Sequence, residues 1–308
     1  MSMSHQWRTS RSATRTTGVL TAVLAALLSL VLAAPTASAD SPRQLRPGFD
    51  YLALGDSVPF GYRPPQVTPP TTYLDASNFV GYPELVADRT GVALANASCP
   101  GETSSSLIDE NAQSNGCENS VASPVGYRDA FPLHVDYQGS QLDFAVQYLR
   151  SHPRTRLVTL MVGANDLFIC QATTADRCTG SDFGVTVDRV EKNVDTILST
   201  LRDEAHYHHR IVVVSYYSLD YRDPAGTQSV QVLNAALTRA AEANGAEVAD
   251  GFGAFQQAAA PAGGDSCAAQ LLIRLPNGRC DVHPTRKGHE VLADAVLQTA
   301  TGQPGKRD

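Results

Sequence analysis

Residues 157–166 read Leu-Val-Thr-Leu-Met-Val-Gly-Ala-Asn-Asp. An unbroken run of apolar and β-branched residues, stopped by glycine and two turn-forming side chains, is the pattern of a strand buried on both faces. A strand with one wet face would alternate instead. Similar runs occur at Phe49 to Leu54, Val92 to Ala95, Ile211 to Val214 and, shorter, Glu247 to Ala249. Between them the spacing turns helical: Phe79 to Arg89, Gln141 to Leu149, Val185 to Leu201, Val230 to Ala243 and Thr285 to Gln298. In the third of these, Val187, Val190, Val194, Ile197, Leu198 and Leu201 share one side. Buried strands alternating with amphipathic helices predict one three-layer α/β/α domain, with a flavodoxin-like parallel sheet of about five strands. Sites in such sheets lie outside the carboxyl ends of the strands. Each chemistry-bearing residue is therefore weighed by whether it directly follows a strand.

The two ends of the chain read differently. Arg8, Arg11 and Arg15 precede an uncharged run, Gly18 to Ala34, and then Ala37-Ser38-Ala39. Basic, apolar and small residues in that order predict a secretory signal peptide over 1–39, cleaved before Asp40. A short lead-in over 40–46, the domain over 47–300 and a polar tail over 301–308 complete the expected organisation. Without the leader's three arginines the net charge moves from −7 to −10. An acidic chain of this kind is not expected to bind nucleic acid, whose phosphates require a basic face. No later segment is long and apolar enough to span a bilayer. The expected product is a secreted or cell-envelope protein, monomeric and without a membrane span once cleaved.

All six cysteines, Cys99, Cys117, Cys170, Cys178, Cys267 and Cys280, lie beyond the leader. An even number in an exported chain reads as three disulfides. Sequence alone does not choose among the 15 connectivities. Pairing of neighbours is favoured, because Cys99–Cys117, Cys170–Cys178 and Cys267–Cys280 would each close a short loop beside a motif described below. Loops of this size stabilise by about 3 kcal/mol each in the chain-entropy model. No C-x-x-C or H-E-x-x-H is present, so neither a zinc site nor any other metal or cofactor is expected.

Four short motifs fall at the predicted sheet edge. Gly55-Asp56-Ser57 ends the first run, with Gly61 four residues past the serine. Cys99-Pro100-Gly101-Glu102-Thr103 follows the second run, and Gly163-Ala164-Asn165-Asp166 the third. Asp281-Val282-His283-Pro284 precedes the last helix. A serine exposed at a strand end can act as a nucleophile, and a histidine with a carboxylate nearby is equipped as a general base. A glycine N–H and an asparagine amide can donate to a developing oxyanion. Each motif taken singly is also an ordinary turn. Indeed Gly264-Asp265-Ser266 repeats the first tripeptide, but it follows Ala-Pro-Ala-Gly rather than a strand and reads as a loop.

Taken in order, G-D-S-x-x-x-G, a glycine block, G-x-N-D and a C-terminal His-Pro resemble the SGNH (GDSL) hydrolases. The resemblance runs from about Phe49 to Leu297, nearly all of the chain beyond the leader. It implies Ser57 as nucleophile, His283 as base, and an oxyanion hole from the backbone N–H groups of Ser57 and Gly101 with the Asn165 amide. The three-pair cysteine pattern further resembles the secreted actinobacterial lipases and esterases. The family's usual D-x-x-H is altered: Cys280 stands three residues before His283, and the acid, Asp281, two before it. Asp281 is the candidate third catalytic residue, and a backbone carbonyl is the alternative holder of Nδ1–H should the side chain at this spacing point away from the imidazole.

The resulting expectation is a secreted carboxylic ester hydrolase, a lipase or esterase acting on acyl lipids or small esters. A carbohydrate deacetylase shares the chemistry, and a non-catalytic cell-surface binding protein could share the fold. An apolar tunnel would favour acyl chains, and an open polar cleft sugars. Phe60, Tyr62, Phe79, Tyr82, Tyr127 and Phe131, placed near the expected mouth, lean toward acyl chains. Tyr216, Tyr217 and Tyr221 could line an acyl pocket or simply pack. His206, His208 and His209 are read as a solvated loop at the opposite edge, and His289 as structural.

Overall fold

The computed structural model describes residues 45–302. The leader expected over 1–39 and the last six residues of the expected tail lie outside the described residues. In chain order the elements are β1 (Asp50–Gly55), α1 (Ser57–Phe60), α2 (Tyr82–Thr90), β2 (Ala93–Asn96), α3 (Tyr127–Ala130), α4 (Gln141–Ser151), β3 (Thr155–Met161) and α5 (Ala164–Thr173). They continue with α6 (Ser181–Asp203), β4 (Arg210–Val214), α7 (Pro224–Ala243), β5 (Glu247–Ala249), α8 (Gly251–Ala259), β6 (Leu272–Arg274), β7 (Cys280–Pro284) and α9 (Arg286–Thr301).

Five strands form one sheet in the order β2-β1-β3-β4-β5, every neighbouring pair parallel. All six residues of β1 are buried, as are six of the seven in β3. Such burial on both faces is what an unbroken apolar run implies. Helix α6 buries Val187, Val190, Val194, Ile197, Leu198 and Leu201, the stripe read from its spacing. It packs along α7, which starts where Pro224 follows the Asp223 cap. Helices α2, α8 and α9 pack together, and α9 also meets β4 and β5.

Besides the four-residue turns α1 and α3, two helices and a hairpin have no counterpart in the sequence reading. Helix α5 grows directly out of Gly163-Ala164-Asn165-Asp166, and α8 begins at the Asp250 cap. An antiparallel hairpin of β6 and β7 carries the histidine motif. In α5 the bounded run Leu167-Phe168-Ile169-Cys170 is too short to show a helical period. The hairpin follows from Pro276-Asn277-Gly278, whose turn residues connect strands only three and five residues long.

Strand order reverses between β1 and β3: from β1 the chain moves outward to β2, then returns past β1 to β3. That crevice is the topological switch point, where doubly wound sheets bind ligands. Ser57 stands beyond the end of β1 and Asn165 beyond the end of β3.

Candidate active site

Gly55 ends β1 at φ 135°, and a Cβ there would lie 2.1 Å from the Met161 carbonyl oxygen. Only glycine fits where β1 and β3 run this close. Gln141 clamps both sides of the same residue: Gly55 N–H donates to its Oε1 at 2.5 Å, and its Nε2 donates to the Gly55 carbonyl at 3.1 Å. Asp56 then caps α1, accepting from the Val58 N–H at 2.9 Å and from the Tyr216 hydroxyl at 2.5 Å. Burial pushes Asp56 up to about 6, against the pull of those two hydrogen bonds. Ser57 follows as the first helical residue, half-buried, and its N–H has no protein acceptor among the described residues.

The His283 Nε2 lies 3.0 Å from the Ser57 Oγ, so two residues 226 apart in sequence meet at hydrogen-bonding distance. On its other side, His283 Nδ1 is hydrogen-bonded to Asp281 Oδ1, which also accepts from the His283 backbone N–H at 3.0 Å. Of the two arrangements expected for the third group, the structure therefore has the Asp281 carboxylate, not a backbone carbonyl, at Nδ1. The reason is local: residues 280–284 form strand β7, and alternate side chains of a strand share a face. The spacing of two brings the carboxylate to the imidazole directly. Burial raises the Asp281 pKa, but the hydrogen bonds and charge of His283 outweigh it and hold the carboxyl below its ordinary range. Tyr62 packs on the imidazole, with ring centroids 4.9 Å apart.

Gly101 and Asn165 line one cavity of ≈ 290 Å³ together with Ser57 and His283. Gly101 sits at φ 88°, and a Cβ there would meet the Asn115 backbone at 2.7 Å. Its N–H, like that of Ser57, has no protein acceptor among the described residues. The Asn165 Nδ2 donates to the Glu102 carbonyl at 2.9 Å, which leaves its second N–H available. Asn115, which the sequence reading did not single out, donates from Nδ2 to Asn165 Oδ1 at 2.8 Å. Its backbone N–H donates to the Gly101 carbonyl at 2.8 Å. Asn115 thus fixes both the orientation of the Asn165 amide and the neighbouring peptide. No sequence signal marks it.

Buried carboxyls tie this loop down. Asp166 accepts from the Ser104 N–H and hydroxyl at 2.8 and 2.7 Å. Glu102 is fully buried and accepts from Gln141 Nε2 at 2.9 Å and from the Ser106 hydroxyl. Burial, with the Glu118 carboxyl beside it, holds Glu102 well above the usual carboxylate range. Gln141 therefore links the Gly101 loop to the strand end that carries Ser57.

The cysteines are joined as neighbours: Cys99–Cys117, Cys170–Cys178 and Cys267–Cys280, with Cα atoms 5.6, 5.4 and 5.9 Å apart. The first loop contains Gly101 and Asn115, the second ends α5, and the third ends one residue before Asp281. Among the described residues the one grouping with metal-ligating geometry is Cys99, Glu102 and Cys117, and its two sulfurs are bonded to each other.

Several expectations need redrawing. Phe60 and Phe79 are fully buried with Tyr73 in a small separate core, and Tyr82 lies in the main one. Of the six aromatics expected at the mouth, Tyr62 and Tyr127 line the cavity of Ser57. Tyr216 and Tyr217 line a second, more apolar cavity that also opens at Ser57. Ser266, of the repeated Gly-Asp-Ser, is buried and donates to the Ser218 carbonyl at 2.8 Å. His206, His208 and His209 are exposed. His289 is buried in α9, and its Nδ1 is unpartnered among the described residues.

A doubly wound α/β domain with an Asp–His–Ser chain of hydrogen bonds at its switch point is the framework of a serine hydrolase. The chain belongs to the GDSL-like lipase/acylhydrolase family, whose model matches residues 53–291. Over 82 residues it is 38% identical to "Lipase 2" of Streptomyces coelicolor, a stretch that is 26% of this chain and 28% of that protein. Among solved structures, it is similar to the acetylxylan esterase Axe2 of Geobacillus stearothermophilus, with a TM-score of 0.52 at 17% identity. That match covers 86% of this chain and 99% of the other. A GDSL-like lipase from Parabacteroides merdae, described as putative, gives a TM-score of 0.51 at 15% identity over 84% and 98% of the two chains. At such identities the two structures establish the SGNH hydrolase fold. No helix among the described residues is long and apolar enough to cross a membrane.

Proposed function

We propose that this protein is a secreted carboxylic ester hydrolase working through an acyl-enzyme on Ser57. The observation that carries the reading is the 3.0 Å contact between Ser57 Oγ and His283 Nε2, made while Nδ1 is held by Asp281. In this mechanism His283 Nε2 takes the hydroxyl proton as Oγ attacks the ester carbonyl. The tetrahedral oxyanion then accepts from the N–H groups of Ser57 and Gly101 and from Asn165 Nδ2. His283 returns the proton to the departing alcohol, and water, activated by the same imidazole, releases the acid. Asp281 orients the ring and stabilises its charged form.

Family membership supports ester chemistry, and the apolar second cavity supports an acyl substrate over a sugar ester. Export is supported by the leader sequence and by three disulfides, which persist in oxidising compartments. A fluorophosphonate probe should label the wild type and not Ser57→Ala, with p-nitrophenyl ester hydrolysis lost in parallel. Ser266→Ala should keep labelling. Retained labelling in Ser57→Ala would overturn the assignment. Amino-terminal sequencing of protein from culture medium should begin at Asp40, whereas protein found in the membrane fraction with a start before Gly18 would argue for an anchored form.

A further inference from the structure

Two cavities, each ≈ 290 Å³, meet at Ser57. The first contains His283, Gly101 and Asn165 as well as the serine. The second shares Ser57, Phe168 and Val282 with it but touches none of those three groups. It runs between α5, α7 and the segment after β4, against Val58, Leu167, Tyr216, Leu219, Val230 and Leu233. We propose that this second chamber receives the acyl chain of the ester, that the first receives the departing alcohol, and that Val230 and Leu233 of α7 limit the length of the chain. The inference rests on the ester-hydrolase reading and adds the direction in which the substrate lies.

The carbon attacked by Ser57 Oγ has three other bonds. Its oxyanion must face the donors Gly101 and Asn165, and its departing oxygen must come within hydrogen-bonding reach of His283 Nε2. Both directions lead into the first cavity. The remaining bond, to the acyl carbon, is left for the second.

The walls agree with this division. The Tyr216 hydroxyl is used on Asp56 and that of Tyr217 on the Val282 carbonyl at 2.7 Å, so both rings offer apolar surface to the chamber. Ser218 donates to the Asp220 carbonyl and Ser229 to the Ala225 carbonyl. Asp220 is paired with Arg222 at 2.7 Å, and Asp223 accepts from the Ala225 N–H at 3.1 Å. The polar groups around the chamber are largely engaged, as an alkyl chain requires. Phe168 and Leu219 are large apolar side chains left 37% and 40% exposed, surface that a bound chain would cover. The first cavity instead presents Asn115, Gly116, Tyr62 and Tyr127, suited to a polar alcohol. A chamber of ≈ 290 Å³ is at the small end of ligand sites, which matches acyl chains of short to medium length.

Two series of esters test the assignment. One varies the acid from acetate to palmitate on a p-nitrophenyl leaving group, and the other varies the alcohol of acetate esters. For the wild type, kcat/KM should rise about fourfold per added acyl methylene until the chamber fills, and then level or fall. Val230→Trp, at a half-buried position of α7, should lower the octanoate-to-acetate ratio at least tenfold and move the optimum to shorter acids. Leu233→Trp, deeper in the wall, should do the same, and circular dichroism will show whether it folds. A shift in the alcohol series larger than in the acid series would reverse the two chambers. An active enzyme whose acid profile is unmoved in folded Val230→Trp would remove the chamber's role. A wild type that hydrolyses neither series would overturn the ester-hydrolase reading itself, and this inference with it.

Discussion

Asp281 and His283 stand on one face of strand β7, two residues apart, and the carboxylate accepts from both the Nδ1 and the backbone N–H of the histidine. A carboxylate so placed selects the tautomer whose Nε2 can take a proton from Ser57. Asp281→Ala should therefore lower kcat by about 10³ to 10⁴, the range for loss of a triad acid in serine proteases, with little change in KM. A loss below about a hundredfold in a folded variant would mean that a backbone carbonyl suffices.

Asn165 and Asn115 act in series. Asn165→Ala should cost about 10² to 10³ in kcat, the usual effect of removing an oxyanion donor. Asn115→Ala leaves the donor in place but frees its amide to turn, so a smaller loss of about tenfold is expected, again with KM nearly constant. Asn115→Asp should be worse than alanine, because a carboxylate would then face Asn165 Oδ1. Stopped assays giving equal activity for the three Asn115 forms would remove it from the site.

The Cys99–Cys117 bond closes the loop that holds Gly101 and Asn115. Removing it by paired Cys→Ser changes should therefore damage turnover more than the sheet. In rising urea, ester hydrolysis should fail before the far-ultraviolet signal, whereas the wild type should lose both together. Coincident curves in the variant would show that the sheet alone holds the loop.

Burial, with His283 nearby, pushes His289 down to about 3. The unfolded chain takes up that proton near pH 6.5 while the native state refuses it. Its stabilising contribution is thus complete above pH 6.5 and is lost as pH falls toward 3, at about 1.4 kcal/mol per pH unit. Asp56, pushed up to about 6, runs the other way, its contribution complete at low pH and lost as pH rises through 6. His289→Gln should remove the first effect and keep the second. Urea midpoints between pH 7 and pH 4.5 should then fall less steeply in the variant than in the wild type. Parallel slopes would show that native His289 accepts the proton.

The sequence by itself determined the parallel sheet, its strand ends, the positions of Ser57, Gly101 and Asn165 after those ends, and that of His283 before the last helix. These rest on local signals: unbroken apolar runs, helical spacing, and a glycine where a strand stops. Only the tertiary structure decided which side chains meet. Gln141 reaches Gly55 across 86 residues and Asn115 reaches Asn165 across 50, and neither has a local pattern because packing alone brings them together. Aromatic content was visible in the sequence, but its placement was not. Phe60 and Phe79 went into a buried cluster, while Tyr216 and Tyr217 came to line the chamber beside the serine. The contact of Asp281 with His283 lay between the two cases. Their spacing was on view throughout, yet its consequence depends on whether residues 280–284 turn or extend. Pairing with β6 decides that, since an isolated five-residue strand has too few hydrogen bonds to hold itself extended.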